Sequence, residues 1–295
     1  MREVIVMLAA ALVLTGAAAG SIALWPIGHN VRNGATGGDA ARGAYLARMA
    51  GCIACHTDTK GGGAPLAGGV ELKTDFGTFV TPNLTTDREN GIGAWTLADF
   101  DRAVRQGISP SGEPYYPAFP YPFYARFTDQ DIADLWAAFQ TVPAVAARAR
   151  SHTMGFPFGF RPGIKIWRAA FVDLKPFTPD PGRSEAWNRG KYIVEGPAHC
   201  GACHTPRNLF GARLSANRFH GSTSLPNGGK APPITAEHLK KKGWSEQDLA
   251  YALQTGLLPD GDAFGGAMAE VVSGGTAFLT EKDRLAIATY LLETR

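Results

Sequence analysis

The longest apolar stretch of the chain lies near its amino terminus. From Val4 to Trp25 no residue is charged, and Ala, Leu, Val and Ile dominate these 22 positions. At about 1.5 Å per residue, a helix of this length can cross a hydrocarbon layer of about 30 Å. Trp25 suits the membrane interface, and Pro26 ends the helix. The pattern predicts a transmembrane helix within residues 1–27.

A cleaved signal peptide is the alternative, because Ala17-Ala18-Ala19 offers small residues at a plausible cleavage position. The apolar run continues past this position to Trp25, which favours a retained anchor. Both interpretations export the remainder of the chain. We therefore expect a single-pass protein of the cell inner membrane, with residues 28–37 as a polar tether and the rest in the periplasm.

Apolar residues recur at helical spacing in two later stretches of similar pattern. Thr96 can cap a helix whose apolar face includes Phe100 and Val104, and Gly107 suits the left-handed position that closes it. The second stretch offers the corresponding residues Ser245, Leu249, Leu253 and Gly256. Because the stretches match position by position, they indicate an internal duplication.

The duplication extends over most of the exported chain. The string Arg42-Gly43-Ala44-Tyr45-Leu46 corresponds to Arg189-Gly190-Lys191-Tyr192-Ile193, and the N-cap candidate Thr128 corresponds to Thr280. No strong alternating strand pattern is present, and Phe76 to Val80 is the nearest candidate. The sequence therefore predicts an all-α protein with two tandem domains related by internal duplication. These are expected at residues 38–142 and 184–295, joined by a linker at 143–183 that is rich in proline and aromatic residues and packs against both.

Composition narrows the class of partner. Apolar residues make up 45% of the 295 positions and charged residues 19%, which is typical of a globular protein. The formal net charge of +3 is too small to indicate a nucleic-acid partner.

The four cysteines of the chain all fall in two C-x-x-C-H strings, residues 52–56 and 200–204. A haem c needs two thiols spaced to meet its two vinyl groups and an imidazole directly afterwards to bind the iron. Covalent attachment of two haems is therefore expected, with His56 and His204 as proximal iron ligands. The attachment residues would be Cys52, Cys55, Cys200 and Cys203.

The alternative uses of these cysteines are a redox-active dithiol, a structural disulfide and half of a zinc site. A thioredoxin-like dithiol needs a βαβ context, which the pattern lacks. A zinc site could combine the two pairs, but it would not explain a histidine directly after each pair in a duplicated unit. Haem attachment accounts for all of these features.

The ligand on the opposite side of the second iron is expected to be a methionine. Met268 lies on a glycine-flanked stretch, Gly265-Gly266-Ala267-Met268, which we expect to be a loop that folds over a haem face. The chain has only five methionines, and this one follows the second C-x-x-C-H string at a spacing that suits ligation.

The first haem poses a different problem. The position that corresponds to Met268 in the repeat is Phe119, which cannot bind iron. Met154 or His152 could return to the iron as its sixth ligand, with Met154 favoured; the site could be five-coordinate and open; or another residue of the glycine-rich loop at 60–73 could serve. Met49, three residues before Cys52, is expected in the core.

From Gly38 onward the chain resembles the membrane-anchored dihaem cytochrome c subunits of periplasmic alcohol, aldehyde and sugar-acid dehydrogenases. The stretches that carry the resemblance are Gly51–Thr57, Phe76–Thr78, Asn83–Thr85, Gly91–Thr96, Tyr116–Tyr121, His199–Asn208 and Met268–Val272. Some members of this family carry three haems, whereas this chain has attachment strings for two. The resemblance implies a catalytic dehydrogenase as electron donor and a quinone, cytochrome or oxidase as acceptor.

Two classes of function remain at this point. The first is a non-catalytic electron-transfer subunit, in which Tyr45 and Tyr192 pack around the porphyrins and no catalytic constellation is needed. The second is a dihaem enzyme, similar to a thiosulfate dehydrogenase or a peroxidase, which would use an open or displaceable site at the first iron. The missing methionine at Phe119 motivates the second class.

Overall fold

A computed structural model describes residues 2–28, 35 and 37–294, and these residues are mostly helical. The first six helices are α1 (Arg2–Leu24), α2 (Ala40–Met49), α3 (Cys52–Cys55), α4 (Leu97–Gln106), α5 (Tyr121–Tyr124) and α6 (Asp129–Phe139). The next six are α7 (Pro162–Phe171), α8 (Glu185–Glu195), α9 (Ala236–Lys241), α10 (Glu246–Thr255), α11 (Gly266–Gly274) and α12 (Glu281–Glu293). The strands are β1 (Glu71–Thr74), β2 (Gly77–Val80) and β3 (Thr153–Met154).

The helix boundaries follow from local chemistry, as the sequence predicted. Thr96 accepts a hydrogen bond from the backbone N–H of Asp99, whose carboxylate accepts from the N–H of Thr96, so the two residues form a capping box. The N-cap predictions at Thr128, Ser245 and Thr280 are also confirmed. Gly107 and Gly256 close α4 and α10 with φ values of 64° and 80°, which a side chain would disfavour.

The expectation of an all-α protein needs one correction, because the three strands form a small antiparallel sheet in the order β1-β2-β3. Glu71 lies opposite Val80 in the first pair, and Gly77 lies opposite Met154 in the second. The third strand comes from the segment expected to be a linker. With two residues it is too short to show any periodicity, and only its distant partner makes it a strand.

In each half, the first and last long helices cross closely at a glycine. A Cβ added at Gly43 of α2 would overlap the carbonyl oxygen of Asp134 on α6. A Cβ added at Gly190 of α8 would overlap the carbonyl oxygen of Ala286 on α12. Since any side chain would force these helices apart, glycine is required at both crossings.

Two buried aspartates join the halves reciprocally. The hydroxyl of Tyr192 donates to Asp131 at 2.7 Å, and the hydroxyl of Tyr45 donates to Asp283 at 2.7 Å. Asp131 also pairs with Arg42. We call these residues, together with Arg189, which donates to Asp283 at 2.7 and 2.8 Å, the aspartate clamp. Each aspartate thus takes a guanidinium from its own half and a phenol from the other half.

The pKa of Asp283 reflects this environment. Burial opposes ionisation of the carboxyl group, but the hydrogen bonds from Arg189 and Tyr45 and the charge of Arg189 hold its pKa below the ordinary value. The carboxyl group of Asp283 is therefore charged at neutral pH.

The amino-terminal helix α1 is long and apolar enough to cross a membrane, and none of its span from Arg2 to Ile22 is buried inside the protein. A signal sequence would pass the same test of length and composition. The tether predicted at 28–37 falls mostly on residues 29–34 and 36, which lie outside the described part of the chain.

The segment at 143–183 touches both halves. Near its start, the side-chain amide of Asn83 donates to the carbonyl oxygens of Val145 and Ala147, at 2.8 and 3.0 Å. Near its end, the ring of Phe177 lies 5.3 Å from that of Tyr192. The segment also contains β3 and α7, which the sequence did not indicate.

We predict that the aspartate clamp stabilises the protein measurably. Tyr192→Phe removes one hydrogen bond to a buried carboxylate and should lower the free energy of unfolding by about 1.5–3 kcal/mol. Tyr45→Phe should act similarly. Denaturant unfolding followed by circular dichroism measures both, with Tyr251→Phe on the exposed side of α10 as the control. Equal stability of the Tyr192 and Tyr251 variants would contradict the role of the clamp.

Candidate haem sites

The first C-x-x-C-H string begins directly after the leading helix of its half. Gly51 takes a left-handed conformation, with φ 69°, between α2 and α3. His56 follows α3, and its backbone N–H donates to the carbonyl oxygen of Cys52 at 3.0 Å. The hydroxyl of Tyr124 donates to the carbonyl oxygen of Ala50 at 2.6 Å, which ties the end of α2 to α5. The turn is thus held from both sides.

The imidazole of His56 is oriented by a backbone carbonyl. Its Nδ1 lies 2.8 Å from the carbonyl oxygen of Pro82. Because a carbonyl oxygen can only accept, Nδ1 carries the proton and Nε2 keeps its lone pair free for a metal. The side chain is 9% exposed, and burial lowers the pKa of His56 to about 4. The ring is therefore neutral, which is the form that binds iron.

The second string has the same arrangement. Cys200–Ala202 form a single 3-10 turn after His199, whose φ is 40°. The Nδ1 of His204 lies 2.8 Å from the carbonyl oxygen of Pro232, and burial lowers the pKa of His204. Two histidines in two distant parts of the chain thus share one tautomer and one kind of partner.

The loops that follow the histidines are also alike in detail. The backbone N–H of Gly68 donates to the carbonyl oxygen of His56 at 2.8 Å, and that of Gly221 donates to His204 at 2.9 Å. Two non-glycine residues, Leu66 and Phe219, have positive φ values of 60° and 67° at matching places. Their backbone N–H groups donate to the hydroxyls of the threonines that follow the two histidines, Thr57 and Thr205. Such strained positions persist where the surroundings require them.

The thiols do not have the character of a reactive dithiol or of a zinc site. None of the four cysteines is in a disulfide. Burial raises the pKa of both Cys52 and Cys200 to about 12, whereas a reactive dithiol needs a lowered value. Across residues 2–28, 35 and 37–294, no three His, Cys, Asp or Glu side chains gather as metal ligands. Two thiols and one free imidazole nitrogen at each turn fit a haem c instead.

The two turns lie close to each other. The thiol pKa of Cys55 is raised first by burial and then by its neighbours Cys203 and Glu270. A Cβ added at Gly51 would lie 3.6 Å from Cε1 of His199, which immediately precedes the second string. Helix α11 also packs against α3. Any groups bound at the two strings would therefore be neighbours.

Met268 occupies the first turn of α11 and is partly buried, so the expectation of a loop at this position is wrong. Gly265 starts this helix as its N-cap residue, and the glycines around it therefore mark a helix start rather than an extended loop. The hairpin before α11, with Leu257 opposite Ala263, matches the one before α5, with Ile108 opposite Pro114.

Phe119, the counterpart of Met268 in the repeat, packs among aromatic rings. Its ring lies 5.6 Å from that of Tyr124 and 6.0 Å from that of Tyr115. The side chain thus serves the core near the first string.

Both candidate ligands for the first iron lie beside the sheet. Met154 is in β3, opposite Gly77. The Nδ1 of His152 accepts a hydrogen bond from the backbone N–H of Val80 at 3.1 Å. Both candidates therefore border β2. This strand ends at Val80, two residues before Pro82, whose carbonyl oxygen orients His56. Their ligation stays a prediction.

Sequence reasoning missed Pro82, Pro232 and Arg213. Pro82 lies 26 residues after His56 and Pro232 lies 28 residues after His204, a matched spacing that could have pointed to both prolines. The guanidinium of Arg213 lies 4.0 Å from the ring centre of Phe123. Burial, followed by the charges of Arg207 and Arg126, lowers the pKa of Arg213 to about 10. Arginines gathered in this way favour an anionic partner.

Comparison with known proteins agrees with this chemistry. The cytochrome c family model matches residues 40–139. The chain is 41% identical over 257 residues to a diheme cytochrome c-type protein of Cereibacter sphaeroides, covering 86% of this chain and 85% of that protein. It is 40% identical to the alcohol dehydrogenase (quinone) cytochrome c subunit of Komagataeibacter europaeus and 39% identical to the gluconate 2-dehydrogenase cytochrome c subunit of Pantoea cypripedii. Each match covers 85% of this chain but only 54% and 58% of those subunits.

We predict that position 68 must be a glycine for the backbone of Pro82 to keep its place beside His56. In Gly68→Ala the new Cβ would meet the carbonyl oxygen of Thr81 at 2.5 Å and the carbonyl carbon of Pro82 at 2.6 Å. Gly62→Ala is the matched control, because Gly62 has a similar φ of 69° with nothing within 4 Å of its Cβ. The control should lose about 1 kcal/mol of unfolding free energy through backbone strain alone. The Gly68 variant should lose clearly more in denaturant unfolding, and equal losses would contradict this account.

Proposed function

Because the chain belongs to the diheme c-type cytochromes, we propose that it transfers electrons through two covalently bound haems c. The proposed attachment residues are Cys52, Cys55, Cys200 and Cys203, with His56 and His204 as proximal ligands. The observation that carries this proposal is the repeated bond from histidine Nδ1 to a proline carbonyl, 2.8 Å in both halves. It leaves one nitrogen in each ring for iron and fixes the plane of that ring.

When bound, the haem supplies the one-electron chemistry of its iron. The chain's own residues orient and seclude it. Pro82 and Pro232 hold the imidazole rings, and burial around His56 keeps water from that side of the first site. Arg207 and Arg213 are proposed to pair with haem carboxylates, which their clustering near the second string favours.

We propose Met268 as the sixth ligand of the second iron, which would raise the reduction potential and close the iron to small molecules. For the first iron, Met154 or His152 is proposed, with Met154 favoured. Phe119 offers no ligand atom, so the sixth ligand of the first iron must come from a different position than that of the second iron.

We further propose two tandem cytochrome c domains at 38–142 and 184–295, which arose by duplication. The matched caps, helix crossings and histidine partners of the two halves support this division. Helix α1 is proposed to span the cell inner membrane once and to hold both domains in the periplasm.

The proposed partners are a catalytic dehydrogenase that delivers electrons and a quinone, cytochrome or oxidase that accepts them. Relatives that are cytochrome subunits of alcohol and gluconate dehydrogenases support the first partner. The chain spans little more than half the length of these subunits, so which dehydrogenase it serves belongs to the proposal. A second candidate, a thiosulfate dehydrogenase-like or peroxidase-like dihaem enzyme, rests on the absence of a ligand at Phe119.

A redox titration of the purified protein tests the electron-transfer role. We expect two reversible one-electron steps and no turnover of thiosulfate or peroxide. His56→Ala should shift or abolish one step and His204→Ala the other, because each removes an iron ligand. His220→Ala is the control, since His220 is an exposed histidine outside both strings. Titrations of the His56 and His204 variants that match the control would contradict the assignment.

Carbon monoxide tests the sixth ligands. We expect the reduced wild-type protein to bind it slowly or not at all, because both irons are closed. Met154→Ala should open one haem to rapid binding, and Met268→Ala the other. Met49→Leu, which changes a buried core methionine, is the control and should leave both closed. Rapid binding by the wild type would favour the dihaem enzyme, and opening by His152→Ala alone would assign the ligand to His152.

A further inference from the structure

A surface next to the end of α1 combines exposed aromatic side chains with an excess of positive charge. Helix α7 contacts α1, and the Nζ of Lys165 donates to the carbonyl oxygen of Trp25 at 3.1 Å. Trp25 itself is 70% exposed and directly follows the apolar helix. Helix α7 therefore lies at the level where α1 would leave a bilayer.

The aromatic side chains on this surface are arranged as one continuous patch. The ring of Phe171 lies 5.6 Å from that of Trp167 and stacks on Phe210 at 6.1 Å. The indole Nε1 of Trp167 donates to the carbonyl oxygen of Phe210 at 2.8 Å, which fastens the loop at 209–210 to α7. We call the patch the aromatic face; its members are Trp167, Phe171, Leu209 and Phe210.

Most of the aromatic face is open to solvent. Leu209 is 95% exposed, Phe210 is 66% exposed and Phe171 is 43% exposed. Large apolar side chains exposed together mark a surface that is covered in the working protein. The second half of the chain supplies Leu209 and Phe210, so whatever covers the face touches both the linker segment and the second half.

The charge of the segment around the aromatic face indicates what covers this face. Residues 143–172 contain five basic residues and no acidic one. Among the residues that the structure describes, Arg161 and Lys165 form no ion pair with a carboxylate. Aromatic and aliphatic side chains beside unpaired cations suit the interface of a bilayer that contains anionic phospholipid.

We propose that the aromatic face lies in the outer interface of the bilayer and binds anionic phospholipid headgroups. This inference rests on the proposed anchoring by α1. It adds that the haem domains do not move freely at the end of a tether but rest on the membrane through α7 and the 209–210 loop. Both haem sites would then keep a defined orientation to the membrane.

Photo-crosslinking in vesicles tests the proposal on the full chain. We place p-benzoylphenylalanine at position 171, at position 251 or at position 13, and reconstitute each variant in vesicles that contain phosphatidylglycerol. Tyr251 is an exposed ring on α10 and is the matched control. Val13 lies within α1 and reports whether that helix is inserted. We expect several-fold more lipid adduct at 171 than at 251, and strong adduct at 13.

The outcomes separate the two proposals. Lipid adducts at 13 but not at 171 would overturn the aromatic face and leave the anchor intact. Adducts at neither position would overturn the anchor and the aromatic face together, with no bearing on the haems. A protein adduct at 171 in place of lipid would assign the face to a second copy or to a partner subunit and would also overturn the proposal.

Lipid composition tests the part played by charge. Replacing phosphatidylglycerol with phosphatidylcholine should reduce the adduct at 171 several-fold and leave the adduct at 13 unchanged, because only the face depends on anionic headgroups. Lys165→Gln should act in the same direction. An adduct at 171 that is independent of lipid charge would overturn the assignment of anionic headgroups.

Discussion

The relative position of the two halves depends on two buried carboxylates. Asp131 and Asp283 are only 1% and 6% exposed, and burying a carboxylate costs several kcal/mol unless charged and polar partners replace the water it loses. Each aspartate receives a guanidinium from its own half and a phenolic hydroxyl from the other. Because each carboxylate takes partners from both halves, the aspartate clamp ties the two halves together.

That constraint reaches the haem sites through the leading helices. Tyr45 and Arg42 lie on α2, which ends one turn before Cys52, and Tyr192 and Arg189 lie on α8, which leads to Cys200. A clamp that holds α2 against α12 and α8 against α6 therefore also sets the separation of the two C-x-x-C-H turns. For an electron carrier this matters, because a fixed distance between neighbouring sites allows transfer without domain motion. The aromatic face would in turn hold both sites in a fixed orientation to the membrane.

Local features of this fold could be predicted from the sequence, and features that need distant partners could not. The caps at Thr96 and Thr280 and the closing glycine Gly107 depend on neighbours within a few residues, and all were confirmed. The strand at Thr153 exists only through its pairing with β2, and Met268 lies in a helix although its glycines resemble those of a loop. The hydroxyls of Tyr45 and Tyr192 bond to aspartates of the other half, which no local pattern could indicate.

The proposed electron transfer depends most on four thiols that are converted to thioethers by two haems. Intact-mass spectrometry of the mature protein, purified from cells able to mature c-type cytochromes, measures this directly. We expect the polypeptide mass plus two haems, with no cysteine left to alkylate after denaturation. A mass without added haem, or with four alkylated cysteines, would contradict the proposal.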